Sequence, residues 1–290
     1  MEIPISKVRF KLILYLCLDT KTSTKINFNS KMSTVIYPSP IYGPVHSRRL
    51  GISLGINLMP ADGKICNFDC IYCECGFNKD RKTKSRRPTR QEVAQALEKK
   101  LKEMHESNQH PDVLTFAGNG EPTGHPDFAG IIDDTIALRD KFCPKAKISV
   151  LSNSTEIFRG NVHGALMRVD NNILKLDTVN PEYIKTVNRP VNPNYNVKRI
   201  IDGLKRFHGH VIIQTMFMKG TINGKSVDNT GDEYVKPWLR ALVDISPKEV
   251  MIYTIDRETP DQDLQKATPD ELNAIRDRVK LEGLMCTASY

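Results

Sequence analysis

The sequence lacks the features that would place it in several classes of protein. No stretch approaches the roughly 20 apolar residues that a membrane-spanning helix needs. No internal repeat, low-complexity tract or Pro/Gly/Ser-rich linker divides the chain. The seven cysteines are an odd number, and a chain of 290 residues can bury a large core without disulfides, so a disulfide framework is not expected. We expect a globular protein of a reducing, cytoplasmic compartment.

The first residues of the chain differ in character from the rest. The segment "KVRFKLILYLCLDTK" has a basic start and an apolar run from Leu12 to Leu18, as signal peptides do. The run is short, however, and no small-residue cleavage site follows it. Met32 opens a second plausible start. We predict that residues 1–31 are an extension outside the fold and that residues 32–290 form one core domain.

From Ile52 onward, short apolar runs alternate with amphipathic stretches, which predicts parallel strands covered by helices. Six strands are predicted, at residues 50–60, 112–118, 146–154, 171–178, 210–220 and 249–260. Capping boxes of Thr89 with Glu92 and of Thr268 with Glu271 predict the starts of two helices. Six strand–helix units are too few for an eight-fold barrel. The predicted fold class is therefore α/β, with a partial (β/α)6 TIM-like barrel of parallel strands.

Four cysteines lie within ten positions, in "CNFDCIYCEC". Cys66, Cys70 and Cys73 have the spacing Cx3Cx2C. A structural zinc site needs four ligands, and no second cysteine pair is present to complete one. Iron–sulfur clusters are the other common use of thiolates, and three thiolates on a four-iron cluster leave one iron open to a ligand. Cys75 is either a fourth thiolate or a small, partly buried side chain, and we favour the second interpretation.

Polar residues also follow the later predicted strands, as "GNGEPT" at 118–123, "SNSTE" at 152–156 and "LDTVNPE" at 176–182. In parallel α/β folds these strand ends converge on one edge of the sheet, where the cysteine loop also lies. Glycines let a backbone approach a ligand closely, and the carboxylate of Glu121 complements an ammonium group. A G-x-G-E string alone is typical of turns, so its position after the second strand carries the argument.

These patterns together resemble the radical S-adenosylmethionine superfamily, in which Cx3Cx2C follows the first strand and a GGE motif follows the second. Within that superfamily, "GPVHSRRLGISLGINLMP" with "TFAGNGEPTGHPDF" is similar to stand-alone proteins labelled Fe–S oxidoreductases, distantly akin to the wybutosine tRNA-modifying enzymes. The resemblance covers about residues 40–285. His46 and Gly124 depart from the pattern, but neither belongs to the cluster or cofactor motifs.

The resemblance implies a [4Fe–4S] cluster at the C-terminal mouth of the barrel, with S-adenosylmethionine chelated to the open iron. The implied reaction is reductive cleavage of S-adenosylmethionine to a 5′-deoxyadenosyl radical, which removes a hydrogen atom from substrate. A one-electron reductant such as flavodoxin or ferredoxin is the implied partner. The implied cluster ligands are Cys66, Cys70 and Cys73, and the implied cofactor contacts are Tyr72, Gly118, Gly120, Glu121, Ser152, Asn153, Asp177 and Gln214.

The formal net charge is +8, and part of the excess lies in "NKDRKTKSRRPTR", residues 78–90, where seven cations face a single acid, Asp80. Such runs are usually solvated loops, but the position beside the cysteines favours RNA or a phosphorylated ligand as substrate. Two other functions stay open from the residues alone. One is a non-catalytic iron–sulfur electron carrier, which would not need "GNGEP". The other is a zinc-bearing nucleic-acid-binding module.

Overall fold

The structure, a computed structural model, describes residues 34–47 and 51–290. The predicted extension at residues 1–31 lies outside the described residues, so its separation from a core at 32–290 stays a prediction. No helix within the described ranges is both long and apolar enough to cross a membrane.

A central sheet of eight strands organises the chain. The described residues form eleven strands, of which eight belong to this sheet and three to a smaller one. In chain order the strands are β1 (Ile41–Ser47), β2 (Gly51–Ile56), β3 (Val113–Phe116), β4 (Lys147–Ser152), β5 (Asn171–Lys175), β6 (Ile212–Met216), β7 (Met218–Ile222), β8 (Lys225–Ser226), β9 (Glu249–Tyr253), β10 (Leu264–Lys266) and β11 (Cys286–Ser289). The central sheet has the order β1-β2-β3-β4-β5-β6-β9-β11. Strands β2 to β11 of this sheet pair in parallel, and β1 pairs antiparallel with β2 at the edge. The sheet is not closed, which confirms the predicted partial barrel.

Among residues 34–47 and 51–290, seven α-helices accompany the strands: α1 (Arg90–Glu106), α2 (Phe128–Phe142), α3 (Gly160–Leu166), α4 (Pro181–Val187), α5 (Val197–Lys205), α6 (Asp232–Ile245) and α7 (Pro269–Leu281). Thr89 caps α1 and Thr268 caps α7, each within the predicted capping box. In both boxes the threonine hydroxyl accepts a backbone N–H of the first turn, which is why these helices begin where the sequence indicates.

The two faces of the sheet bury different side chains, because successive residues of a strand point to opposite sides. One face packs its apolar residues, such as Val150 and Ile213, with residues of the helices in one large core. On the other face, Ile173, Ile212 and Met251 form a separate small apolar group. Lys175 and Gln214 lie two residues after Ile173 and Ile212, so they share this inner face.

Several elements were not predicted from the sequence: β1, α4, β11 and a small antiparallel sheet in the order β10-β7-β8. The predicted strand at 210–220 is in fact two strands. Phe217 separates them, and its N–H donates to the carbonyl of Tyr253 at 2.8 Å. The second strand then pairs with β8 through a turn at Asn223 and Gly224, both with positive φ, a turn chemistry typical of tight hairpins.

Candidate functional site

The cysteine loop follows β2 and carries Cys66, Cys70 and Cys73 on a backbone cross-linked by its own hydrogen bonds. The N–H of Cys73 donates to the carbonyl of Cys70 at 3.2 Å. The Asn78 side chain donates to the carbonyls of Cys66 and Phe68 at 3.2 and 3.1 Å. Cys70 is buried, and the other two sulfurs belong to partly exposed residues. The loop therefore holds the three thiols at one end of the sheet.

Burial governs the protonation of the first two thiols. It raises the pKa of Cys66 to about 12 and that of Cys70 to about 11. Cys73 differs, because a hydrogen bond from the Cys75 thiol favours its thiolate and lowers its pKa. Cys75 is buried, and its own pKa is raised by the same bond. The Gly118 carbonyl, 3.4 Å from the Cys75 sulfur, is the alternative acceptor for the single proton of this thiol.

Lys64 is a buried cation beside all three thiols. Only 1% of its side chain is exposed, and its ammonium donates to the carbonyl of Gly76 at 2.8 Å. Burial alone would lower the pKa of Lys64, but electrostatic attraction to the neighbouring cysteine sulfurs, that of Cys73 first, and to the Asp69 carboxylate at 3.8 Å outweighs burial, and the pKa is raised. The lysine therefore stays charged next to the thiol group, and it is the kind of partner that buried anions require.

The "GNGEP" motif after β3 is joined to the cysteine loop through Ile65. Ile65 donates its N–H to the carbonyl of Asn119 at 3.0 Å and accepts the N–H of Glu121 at 3.2 Å. A Cβ atom at Gly120 would lie 1.8 Å from the Ile65 carbonyl oxygen, and Gly120 has a φ of +137°. Gly118 is restricted similarly, with a φ of +138° and its Cβ position 2.7 Å from the Asn57 side chain. These glycines let two loops of the protein approach each other.

Glu121 joins this motif to the end of β4. Its carboxylate is buried, accepts the N–H groups of Asn153 and Thr123 at 2.7 and 3.1 Å, and accepts the hydroxyl of Thr123. Burial raises the pKa of Glu121 despite these hydrogen bonds. Ser152 accepts the N–H of Ser154 at 3.1 Å. The amide nitrogen of Asn153 is 3.8 Å from the sulfur of Cys66, so this polar group borders the thiols.

Tyr72 and Asp177 form a second polar group, against Cys70. The Tyr72 hydroxyl donates to the Asp177 carboxylate, and the Asn188 amide donates to the same carboxylate at 2.7 Å. The Asn188 amide also lies 3.7 Å from the sulfur of Cys70. Burial first, and then the charge of Asp177, raises the pKa of Tyr72 well above its usual value. The Tyr72 ring is buried and its hydroxyl is held by protein groups.

Lys175 connects this second group to the inner wall of the barrel. Its ammonium donates to the hydroxyls of Tyr72 and Tyr253 at 3.1 and 3.2 Å and is 3.6 Å from Asp177. Gln214 pairs with Lys175 across β5 and β6 and is 5% exposed. No hydrogen bond to its amide group comes from the described part of the chain. Gln214 thus presents an amide to the barrel interior.

The contacts above join most of the residues that the resemblance singles out, and they add partners that sequence reasoning did not name. Lys64 and Asn188 are two of these, because burial of a lysine and the approach of a residue 118 positions from Cys70 depend on tertiary contacts. Lys175 could have been predicted from the sequence as a partner of Asp177. It precedes Asp177 by two residues at the end of a predicted strand, so the two share one face.

The thiols are not arranged as ligands of a single metal ion. Within residues 34–47 and 51–290, no group of three or more His, Cys, Asp or Glu side chains is placed to hold one ion. A zinc site gathers all its ligands on one ion, whereas a four-iron cluster takes each thiolate on a different iron and so spaces the sulfurs apart. As a donor set, three thiols beside the buried ammonium of Lys64 suit a cluster that takes each thiolate on a different iron.

A cavity of about 980 Å³ lies elsewhere, at the opposite end of the strands. Its lining includes Val113, Lys147, Asn171 and Glu249, which are the first residues of β3, β4, β5 and β9. In parallel α/β folds the chemistry collects at the C-terminal strand ends. The cavity is therefore distinct from the thiol site.

Two relatives match most of this chain by sequence. The chain is 29% identical over 251 residues to a protein of Helicobacter pylori named UPF0026 protein, covering 85% of this chain and 75% of that one. It is 26% identical over 258 residues to a protein of Brachyspira hyodysenteriae named GTPase Obg, covering 88% of this chain. The match spans only 35% of that longer relative.

Solved structures share the fold. A radical SAM methyltransferase from Sphaerobacter thermophilus superposes with a TM-score of 0.60 at 15% identity, covering 82% of this chain and 66% of that one. A structure of TYW1 with a lysine–pyruvate adduct superposes with a TM-score of 0.55 at 10% identity, covering 79% and 73%. The sequence model of the Radical SAM superfamily matches residues 62–233, more than half of the chain. The chain therefore belongs to the radical SAM superfamily, whose enzymes use a [4Fe–4S] cluster and S-adenosylmethionine.

Proposed function

We propose that this enzyme holds a [4Fe–4S] cluster on Cys66, Cys70 and Cys73, cleaves S-adenosylmethionine reductively and abstracts a hydrogen atom from a substrate. The observation that carries the proposal is the connection made by Ile65, which joins the three-thiol loop to "GNGEP" by backbone hydrogen bonds. When bound, the reduced cluster supplies the electron that breaks the S–C5′ bond and yields the 5′-deoxyadenosyl radical. An electron carrier would need only the first of these two motifs.

In this proposal Lys64 offsets the negative charge that three thiolates bring into a buried site. Cys75 donates a hydrogen bond to Cys73 and is not itself a ligand. The raised pKa values of Cys66 and Cys70 mean that both thiols must lose protons on loading, so iron binding releases protons. The charge of Lys64 is the local compensation for that loss.

The cofactor contacts that we propose divide into two kinds. Gly118 and Gly120 offer backbone groups next to the thiols, and the amide of Gln214 is free to bond a ligand in the barrel. The side chains of Glu121 and Asp177 each accept several hydrogen bonds from protein N–H or O–H groups. The side-chain oxygens of Ser152, Asn153 and Tyr72 each accept at least one hydrogen bond from a protein N–H group. We therefore assign these five mainly to shaping the pocket that meets the cofactor.

The structure gives less support than the sequence to an RNA or phosphorylated substrate. The basic stretch 78–90 was the reason to expect RNA or a phosphorylated ligand. Two of its arginines are neutralised within the protein, since Arg86 is 2.7 Å from Glu92 and Arg90 is 2.7 Å from Asp134. The lysines of the stretch, Lys79, Lys82 and Lys84, are exposed. We retain the cytoplasm as the proposed compartment, because the six described cysteines are free thiols.

The test is anaerobic reconstitution with iron and sulfide, followed by dithionite and S-adenosylmethionine. We expect about four irons per chain and formation of 5′-deoxyadenosine. Alanine variants of Cys66, Cys70 and Cys73 should each lose both the cluster and the product. Cys143→Ala is the matched control, because Cys143 is buried in the helix-side core, and it should keep both. Cluster binding without 5′-deoxyadenosine would contradict the enzymatic proposal, and a protein with one zinc and no iron would contradict the cluster.

A further inference from the structure

The basic stretch after the cysteine loop has a part that the proposed reaction does not use. Arg86 and Arg90 are paired with acids, as described above. Lys79, Lys82 and Lys84 are exposed, and none has an ion pair with any residue in the described ranges. The uncompensated charge is therefore concentrated on the side of the stretch that adjoins the cysteines, not at the start of α1.

Phe77 connects this charge to the thiol site. Its ring is half-buried and packs against the apolar group that includes Phe68 and Cys70, against which Cys66 and Cys73 also pack. Outside, the ammonium of Lys79 lies over the ring at 5.9 Å and the guanidinium of Arg189 at 5.3 Å, both measured to the ring centroid. We call Phe77, Lys79 and Arg189 the Phe77 patch. It brings two cations from distant parts of the chain to one aromatic ring beside the thiols.

The Phe77 patch is rigidly attached to the cysteine loop. The N–H of Gly76 donates to the carbonyl of Cys73 at 2.9 Å, and Asn78 donates to the carbonyl of Cys66 at 3.2 Å, so hydrogen bonds flank Phe77 on both sides. On the Arg189 side, the N–H of Asp69 donates to the Arg189 carbonyl at 3.1 Å. A partner bound to the patch would therefore lie close to the thiols, and the backbone between the partner and the thiols is held by hydrogen bonds.

The chemistry of the patch fits a protein better than a nucleic acid. Single-stranded RNA binds by stacking bases on open aromatic faces, but here the two cations lie over the Phe77 ring. Val191, two residues after Arg189 in the chain, is 63% exposed and adds exposed apolar surface. An apolar centre with cations around it is the composition of a protein interface that selects an acidic partner.

We propose that the Phe77 patch is the docking surface for an acidic one-electron donor protein, a flavin or iron–sulfur carrier, and that electrons enter the site here. The proposal rests on the proposed function, because it needs a cluster on Cys66, Cys70 and Cys73. In the step, the donor is oxidised by one electron and the bound cluster is reduced by one electron, with no bond made or broken and no proton transferred.

The test uses the reconstituted full-length enzyme and reduced flavodoxin as the probe, mixed anaerobically in a stopped-flow instrument. Oxidation of flavodoxin is followed by absorbance at several salt concentrations. We expect the double variant Lys79→Glu with Arg189→Glu to lower the second-order rate constant on the order of tenfold or more at low salt, since charge steering changes association by about 10 to 10³-fold. The double glutamine variant should fall in between, and the differences should shrink as salt rises.

Lys145→Glu is the matched control. Lys145 is also exposed and without an ion pair in the described ranges, and it lines the cavity at the opposite end of the strands. The Lys145→Glu variant makes the same charge change as one substitution in the patch. Its second-order rate constant for oxidation of flavodoxin should stay within about twofold of the wild-type value at low salt. A control that slows the reaction as much as the patch variants would show a general charge effect and overturn the proposal.

Two further readouts separate this proposal from the proposed function. Iron content and the extent of reduction by excess dithionite should be unchanged in the patch variants, because they report the cluster and not the docking. If the wild type holds no cluster, the proposed function fails. If it holds a cluster, and the patch variants accept electrons from flavodoxin as fast as the wild type, only the docking surface fails. Loss of salt-dependent tRNA binding with unchanged electron transfer would assign the patch to RNA.

Discussion

The helix-facing side of the sheet and the mouth around the cysteine loop bury side chains of opposite chemistry. Between sheet and helices the core is apolar, with Phe116, Phe128 and Trp238 all fully buried. At the mouth, Lys64, Glu121 and Asp177 are buried and have charged or polar neighbours. Each buried ion costs several kcal/mol in lost hydration, which its partners only partly offset. The folding stability therefore comes mainly from the apolar helix side. The mouth contributes less to stability, and its buried ions form a charged site.

This difference explains why the two regions tolerate substitution differently. A residue of the helix side acts through the volume it fills, so its loss is felt in folding. A residue of the mouth acts through its charge or through the backbone geometry it permits, so its loss is felt in what the site can hold. Four substitutions test whether the distinction is real.

Phe128→Ala should have the largest effect on folding. Phe128 begins α2, is fully buried and makes an edge contact with Phe116 at a centroid distance of 6.1 Å. Removing the ring leaves a cavity, so the free energy of unfolding should fall by about 3–5 kcal/mol. Urea denaturation of the apoprotein measures it. Val243→Ala on α6, where the side chain is 47% exposed, should change stability by less than about 0.5 kcal/mol. Equal losses in the two variants would mean that the helix side is not the main source of stability.

Gly120→Ala should come next, and its effect should reach the cluster. A Cβ atom at this position meets the Ile65 carbonyl at 1.8 Å, and the positive φ adds strain, so the two loops must move apart. We expect a loss of about 1–3 kcal/mol in stability and roughly tenfold less iron after reconstitution. Gly124→Ala is the control, because no atom lies within 4 Å of its Cβ position. An iron content near wild type in the Gly120 variant would contradict the role given to the Ile65 connection.

The helix side was largely predictable from the sequence, and the mouth only in part. Short apolar runs located the six barrel strands, since strands covered on both faces, such as β3 and β6, are buried at every position. The capping boxes of Thr89 and Thr268 predicted where α1 and α7 begin, because hydrogen bonds between residues close in the chain determine where a helix starts. The small sheet of β7, β8 and β10 escaped prediction, because its strands are short and β10 pairs with a strand far from it in the chain.

The cysteine spacing and "GNGEP" identified the parts of the mouth, but not how they fit together. Gly120 was expected to make room for a ligand, and the structure shows that it makes room for Ile65. Tyr72 was expected to contact the cofactor, and the structure ties its hydroxyl to Asp177. Whether it also meets the cofactor stays a prediction. Such pairings join segments 55 or more residues apart, and no local pattern encodes them.

Lys64→Met should separate stability from function. The variant loses the hydrogen bond to the Gly76 carbonyl but no longer buries an ammonium group, so its stability should change by at most about 2 kcal/mol. The cluster should become harder to reduce, because the cation favours the more negative reduced state. A redox titration followed by electron paramagnetic resonance should show a more negative potential than in the wild type. Lys145→Met should leave the potential unchanged. An unchanged potential in the Lys64 variant would mean that its charge is compensated elsewhere.

Thr89→Ala should have the smallest effect, and it tests whether proximity in the chain to the cysteine loop matters. Thr89 caps α1 directly after the basic stretch, whereas Thr268 caps α7 near the C-terminus with the same box. Each alanine variant should lose about 1 kcal/mol on urea unfolding and keep the wild-type iron content. A fall in iron content for Thr89→Ala alone would show that the start of α1 supports the mouth.

The Thr89 box also has a defined pH range. A hydrogen bond from Arg86 first, and then the Thr89 backbone, lower the pKa of Glu92 to about 2 from its usual value near 4.5. A carboxylate with a depressed pKa in the folded state stabilises above its unfolded pKa and loses that contribution as pH falls through the folded value. The contribution of Glu92 should therefore be constant from pH 7 to about pH 5 and decline between about pH 4.5 and 2. A Glu92→Gln variant, which cannot ionise, should lack this decline, because the charge and not the bond alone sets the pH range.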